Sequence, residues 1–323
     1  MPEPQTLSVS GHPSAATGRL DSAGGPYPIF FPSISSLKTS ITPLDSARLL
    51  KAARFPRFLV SAHDVANAAH QPELVATLFE CRGAGAQLLL DSGNYEAFWT
   101  RDATWSQRRF HEVLELALSD VAFSFDQQTV PPDVALAALA ATSNAANDSR
   151  ASSTPIVPIV HGPGDLLPTI AASVASSLHA TAVAVPEREL GVDLVQRFKS
   201  VRAIRDALGP NESIRLHLLG TGNPTSMLVY AYAGADSFDG LEWCQTVVDH
   251  STGLLHHLSH YPLFSSQTEW AESGVSPLAR ALVHNLAFYR AWEHKLVAAR
   301  ASGTLRSMIE VHSPTVAALL AHA

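Results

Sequence analysis

Short apolar runs recur along the chain from residue 28. They read PIFFP (28–32), RFLVSA (57–62), AQLLLD (86–91), VAFSFD (121–126), PIVPIVH (155–161), TAVAVPE (181–187), IRLHLLG (214–220) and ADSFD (235–239). Most are apolar throughout rather than alternating, as in parallel strands covered on both faces. Helical stretches lie between them. Residues 104–118 begin with Thr104 and Gln107 at capping-box spacing, and 192–209 are amphipathic and stop at Gly209. Eight runs spaced by helices predict a (β/α)8 TIM-type barrel over 28–240; an open doubly wound sheet is the competing arrangement.

Residues 241–275 read as irregular and His-rich. A long helix follows over 277–301, with Leu282, Leu286, Tyr289, Trp292 and Leu296 as its apolar stripe. A short helix ends the chain, so C-terminal helices should pack outside the barrel. Residues 143–154, SNAANDSRASST, read as a surface loop. Residues 1–25 carry no periodicity and read as a disordered tail, leaving 26–323 as a single domain.

Composition narrows the function. Of 323 residues 46% are hydrophobic and 16% charged, enough apolar material for a large core. Lys and Arg total 22 against 29 Asp and Glu, a net charge of -7, so nucleic acid would have to be met by a local patch. Two cysteines exclude a disulfide framework and a four-cysteine zinc site. With no signal-like start and no apolar run of membrane length, the expectation is a cytoplasmic protein that does not engage the membrane.

Three apolar runs end in aspartate: Asp91, Asp126 and Asp239. Strand C-termini converge on one mouth of a barrel, where active sites are built. Three carboxylates brought there should perturb one another's pKa values, Asp91 upward. Single aspartates at such positions are commonly turn residues; three in the same relative position favour chemistry. Two turns follow strands nearby, DSGNYE (91–96), carrying Tyr95, and LGTGNP (219–224), the latter without a dinucleotide or P-loop fingerprint.

In order along 28–300, these segments resemble the tRNA-guanine transglycosylase superfamily, whose members exchange guanine for 7-deazaguanines, including a divergent branch acting on DNA. PIFFPSISSLKT resembles its first strand and LLLDSGNYEAF its Asp-Ser-Gly-Gly-aromatic-Gln motif, with Asn94 and Glu96 as departures. VAFSFDQQT resembles the strand carrying the base-reading Asp, and PIVHGPGD a Val-Gln-Gly-Gly segment with His161 at the Gln position. HLLGTGNP, GADSFD and LVHNLAFYRAWEHKLVAA resemble the Gly-x-Gly-x-Pro turn, the nucleophile strand and the C-terminal helix.

The resemblance implies Asp239 as the covalent nucleophile and Asp91 as general acid/base. It implies Asp126 and His161 reading the base, Tyr95 stacking on it, and Leu219, Gly220, Ala182 and Val183 lining the pocket. The implied partners are a nucleic acid, tRNA or DNA, and a 7-deazaguanine base; a homodimer is an admissible assembly. The family's Cys-x-Cys-x-x-Cys…His zinc site lacks its cysteines here, so no cofactor is expected. A His-based site from His257, His260 and His284 is the alternative. The family's Pro-Thr-Arg run after the nucleophile is missing, which weakens tRNA as substrate. A metal-dependent barrel hydrolase, an N-glycoside hydrolase on the same fold and a non-catalytic transglycosylase-like subunit remain as other readings.

Overall fold

The computed structural model describes residues 26–127, 129, 131–209, 213–269 and 274–322; the expected tail over 1–25 lies outside the described residues. Eight strands form from the eight apolar runs: β1 (Ile29–Ile34), β2 (Arg57–Ser61), β3 (Gln87–Asp91), β4 (Val121–Phe123), β5 (Ile156–Val157), β6 (Ala182–Pro186), β7 (Arg215–Leu219) and β8 (Ser237–Gly240). All pair in parallel in the order β5-β4-β3-β2-β1-β8-β7-β6. The ends meet where Ile159 bridges Ala184 in parallel, with Val160 N donating to Ala184 O at 2.8 Å and Ala184 N to Pro158 O at 2.9 Å. The seam is thin because Pro158, inside the fifth run, has no N–H to give to a ladder. The architecture is a TIM-type barrel.

Alternate residues of each strand serve two cores. Ile29, Phe31, Leu59, Leu89 and Phe123 fill the barrel. Phe30, Ile34, Phe58, Val60, Leu88 and Leu90 point outward under the helices. This two-sided burial is why the runs show little polar alternation.

The long helix spans Pro277–Ala301, capped by Ser276, whose side chain accepts from Ala279 N, and its five stripe residues are buried. Near its N-terminus Asn285 accepts from Val248 N at 3.0 Å and donates to Trp243 O at 2.8 Å. Further along, Tyr289 Oη donates to Gly222 O at 2.7 Å. Toward its C-terminus Glu293 accepts from Phe30 N at 2.9 Å, at the start of β1. The helix therefore runs down the outside of the barrel from mouth to base. A short helix, Pro314–Leu320, lies near the chain end. No helix among the described residues is long and apolar enough to cross a membrane.

Three expectations change. Residues 143–151 are not loop but the second half of a helix, Val134–Ala151. Its buried face is Ala137, Ala141, Ala145 and Asp148, spaced by four and then three residues, and the Ser and Asn residues that suggested a loop lie mainly off that face. The helix expected over 104–118 covers only Gln107–Leu114, because Thr104 spends its hydroxyl on Asp102 and Ser106 is the cap position. The irregular segment after β8 holds an antiparallel pair, β9 (Thr246–Val248) with β10 (Leu255–His257).

At the base of the barrel Asp236 is fully buried and accepts from Arg205, Arg215 and Arg300, and from Leu216 N at 2.8 Å. Arg300 belongs to the long helix, so this carboxylate ties the helix to the barrel floor. Removing one member of a buried ion cluster strands the others. Asp236→Ala is therefore expected to lower the unfolding free energy by about 3–5 kcal/mol, measured by urea denaturation, with Asp236→Asn losing less.

Candidate active site

The strand ends and the loops after them enclose a cavity of about 500 Å3 at the C-terminal mouth, lined by residues at or after the ends of all eight strands. Asp91, Asp126 and Asp239 all line it, as do Tyr95, His161, Leu219 and Gly220. Parallel strands covered on both faces leave only their ends for charge, and this sequence puts an acid at three of them.

The acids differ in what holds them. Asp239 Oδ2 accepts from Ser33 Oγ at 2.7 Å, while its Oδ1 accepts from Gly220 N at 3.1 Å and lies 3.1 Å from His217 Nε2. His217 is buried inside the barrel against Phe123, with Nδ1 2.8 Å from Ser237 Oγ. Asp126 accepts from Ser92 Oγ at 2.5 Å and Asn94 Nδ2 at 2.9 Å, and its Oδ2 lies 2.9 Å from His161 Nε2. Burial opposes the Asp126 charge, but His161, Ser92 and Asn94 outweigh it and hold the carboxyl below its usual pKa.

Asp91 has no such support. Its one hydrogen bond is from Gly93 N at 3.2 Å. Burial, then the charges of Glu96, Asp126 and Asp239, push its pKa well above the ordinary value, the opposite direction to Asp126. Gly93 adopts φ +78°, and a Cβ there would lie 2.4 Å from His63 N, so only glycine lets the chain turn this tightly after Asp91.

Several pocket residues escaped the sequence reading. Glu96, first taken as a departure from a motif, accepts from Ser35 Oγ at 2.5 Å and Ser61 Oγ at 2.7 Å; burial and the Asp64 charge lift it to about 6. Glu242 also lines the mouth, and burial with the Glu187 and Asp239 charges lifts it to about 7. Its carboxylate occupies the space a Cβ on Gly222 or Gly240 would need. Lys38 Nζ sits 4.8 Å from the Trp99 ring centroid at the rim, where Trp99 stands edge-on to Tyr95. Neither Glu96 nor Glu242 follows an apolar run directly, so the strand-end signal that marked the aspartates could not find them.

Two expectations about the pocket wall are corrected. Ala182 and Val183 open β6 at the far end from the mouth and do not line the cavity; Pro186 and Glu187, at the other end of that strand, do. A parallel strand reaches the mouth only with its last residues. His161 reaches the pocket, but its Nδ1 lies 2.7 Å from Glu189 Oε1 while Nε2 faces Asp126, so both ring nitrogens are engaged by the protein rather than turned to a base.

The histidines of the alternative metal site are not gathered. His284 is buried, with Nε2 2.7 Å from Val248 O and Nδ1 2.6 Å from Thr268 Oγ1. His257 is exposed and bonded to Ser259, its ring 6.1 Å from that of His260. Among the described residues no group of three or more His, Cys, Asp or Glu side chains is arranged to hold a metal ion. No family model and no curated protein matches the chain.

Two stability predictions follow from these charges. Burial alone would lower the pKa of His161, but Asp126 and Glu189 raise it to about 9. The resulting stability is complete below the unfolded value near 6.5 and is lost as pH rises through about 9, a change of about 3 kcal/mol. Unfolding free energies measured from pH 6 to 9.5 should show this fall, and His161→Ala should flatten it. Asp91→Asn keeps the shape of the side chain and cannot be charged, so it should be at least as stable as the unaltered protein at pH 8; a lower melting temperature would contradict the opposition to charge at Asp91.

Proposed function

We propose that the protein is a base-exchanging transglycosylase, replacing a guanine-type base in nucleic acid by a 7-deazaguanine through a covalent glycosyl-aspartate intermediate. The observation that carries this reading is the contrast between Asp239 and Asp91. Two carboxyls line one cavity; one accepts from Ser33 and Gly220 and faces His217, and the other has its ionisation opposed by burial and neighbouring charge. Paired carboxyls in contrasting surroundings, one held by donors and one whose ionisation is opposed, suit a double-displacement reaction at a sugar carbon. The motif order along the chain supports the same chemistry.

In this reading the Asp239 carboxylate attacks C1′ as the glycosidic bond breaks through an oxocarbenium-like state. Asp91 gives its proton to the leaving base, which departs neutral, and is left as a carboxylate. That carboxylate takes a proton from the entering base, whose nitrogen attacks C1′ and releases Asp239; two displacements retain configuration. Asp126, ionised and therefore acceptor-only, suits the N1–H and exocyclic amine of a guanine edge. Tyr95 supplies a ring face, and Leu219 and Gly220 close the wall beside the nucleophile. A duplex would have to present the target base flipped out.

A second reading, an N-glycoside hydrolase acting on free nucleosides, is favoured by the acidity of the lining. Asp91, Glu96, Asp126, Glu187, Asp239 and Glu242 face fewer cationic side chains, which does not suit phosphates. One experiment separates the two. Guanine-containing RNA and DNA oligonucleotides and guanosine are each incubated with labelled guanine, and denatured mixtures are examined by mass spectrometry. Base exchange predicts incorporated label and a trapped adduct, both lost in Asp239→Asn, and turnover reduced by about 10²–10⁴-fold in Asp91→Asn. Base released from guanosine without incorporation supports the hydrolase, and full exchange by Asp239→Asn overturns the mechanism.

A further inference from the structure

One wall of the pocket holds a carboxylate–imidazole–carboxylate chain for which base exchange by itself has no use. Glu189 lies in the single 3-10 turn after β6, Glu187–Glu189, and is nearly buried. Its Oε1 lies 2.7 Å from His161 Nδ1 and its Oε2 accepts from Gly162 N at 3.1 Å. The opposite ring nitrogen lies 2.9 Å from Asp126 Oδ2, and Asp126 is held on Oδ1 by Ser92 and Asn94. An ionised carboxylate can only accept, so a ring flanked by two of them carries a proton on each nitrogen. Both protons are committed to protein oxygens, leaving His161 neither a donor nor a lone pair for a ligand.

We propose that Glu189 is a specificity-determining positioning residue which, through His161, fixes Asp126 as the acceptor for a base edge bearing adjacent N–H donors. The base-reading half rests on the base-exchange reading; the chain of contacts does not. Without Glu189 the ring would more readily lose its Nδ1 proton, and Asp126 would then face a neutral N–H donor instead of an imidazolium, which loosens the contact that fixes its orientation. The charged groups around the ring are Asp126 after β4 and Glu189 after β6. Arg188 lies 3.8 Å from Glu189, and the Asp91 carboxyl after β3 lies within electrostatic reach of Asp126. Selection by this wall is therefore for ligands that donate, and a base presenting only acceptors there would meet an anion.

The test has one arm independent of activity. Nitrogen-15 NMR of the unliganded protein should show both His161 nitrogens protonated at pH 7.5, and Glu189→Gln should shift its titration to lower pH. A neutral His161 in the unaltered protein at pH 7.5 overturns the proposal. In the second arm, guanine binding is measured by calorimetry and exchange kinetics are followed from pH 6 to 9. Glu189→Gln should raise KM for the base severalfold as pH rises through the lowered titration point, with kcat nearly unchanged. The double variant Glu189→Gln/His161→Gln, with no ring to titrate, should lose that pH dependence. A Glu189→Gln protein with unaltered KM up to pH 9 overturns the positioning role. If the NMR arm holds but the unaltered protein binds no guanine-type base, the base-reading half falls together with the proposed function while the contact chain stands.

Discussion

Repulsion among acids crowded at one end of the barrel is the constraint around which the rest of the site is arranged. A sheet covered on both faces favours its strand ends for carboxylates, and a closed barrel brings those ends together. Each acid is then differentiated by the donors it meets. Ser33 serves Asp239; Ser35 and Ser61 serve Glu96; Ser92, with Asn94 and His161, serves Asp126. A serine hydroxyl is a compact donor, so it steadies a carboxylate without filling the cavity. Among the described residues the Asp91 carboxyl receives only a backbone N–H at 3.2 Å, and burial with neighbouring charge opposes its ionisation.

A second charge cluster lies at the opposite end of the barrel. Asp236, with its arginines, sits at the base of the barrel, and the long helix carries Arg300 there. The same helix reaches the mouth through Asn285 and Tyr289, which hold backbone at Trp243 and Gly222. One exterior helix thus connects a rigid floor to the two loops that flank Asp239.

The segment after β8 is ordered by hydrogen bonding. The β9–β10 pair is antiparallel, Asn285 accepts from Val248 N, and His284 engages Val248 O and Thr268. Burial holds His284 below its usual pKa, which fits a neutral ring that donates at one nitrogen and accepts at the other. These contacts brace the segment following β8.

The sequence by itself determined the barrel, the long helix and three of the mouth acids. Each leaves a local trace: an unbroken apolar run for a strand buried on both faces, a 3.6-residue stripe through Trp292 for a helix on a core, and an aspartate where a run ends. The helix over residues 143–151 was illegible because Ser and Asn favour loops locally, and only docking of the alanine face overrides that preference. The state of the site was decided by tertiary structure alone. Ser33 meets Asp239 across 206 residues and Glu189 meets His161 across 28. A carboxylate's charge depends on which donors and charges surround it in space, and a serine or glutamate in a loop bears no mark of the partner that folding will bring to it.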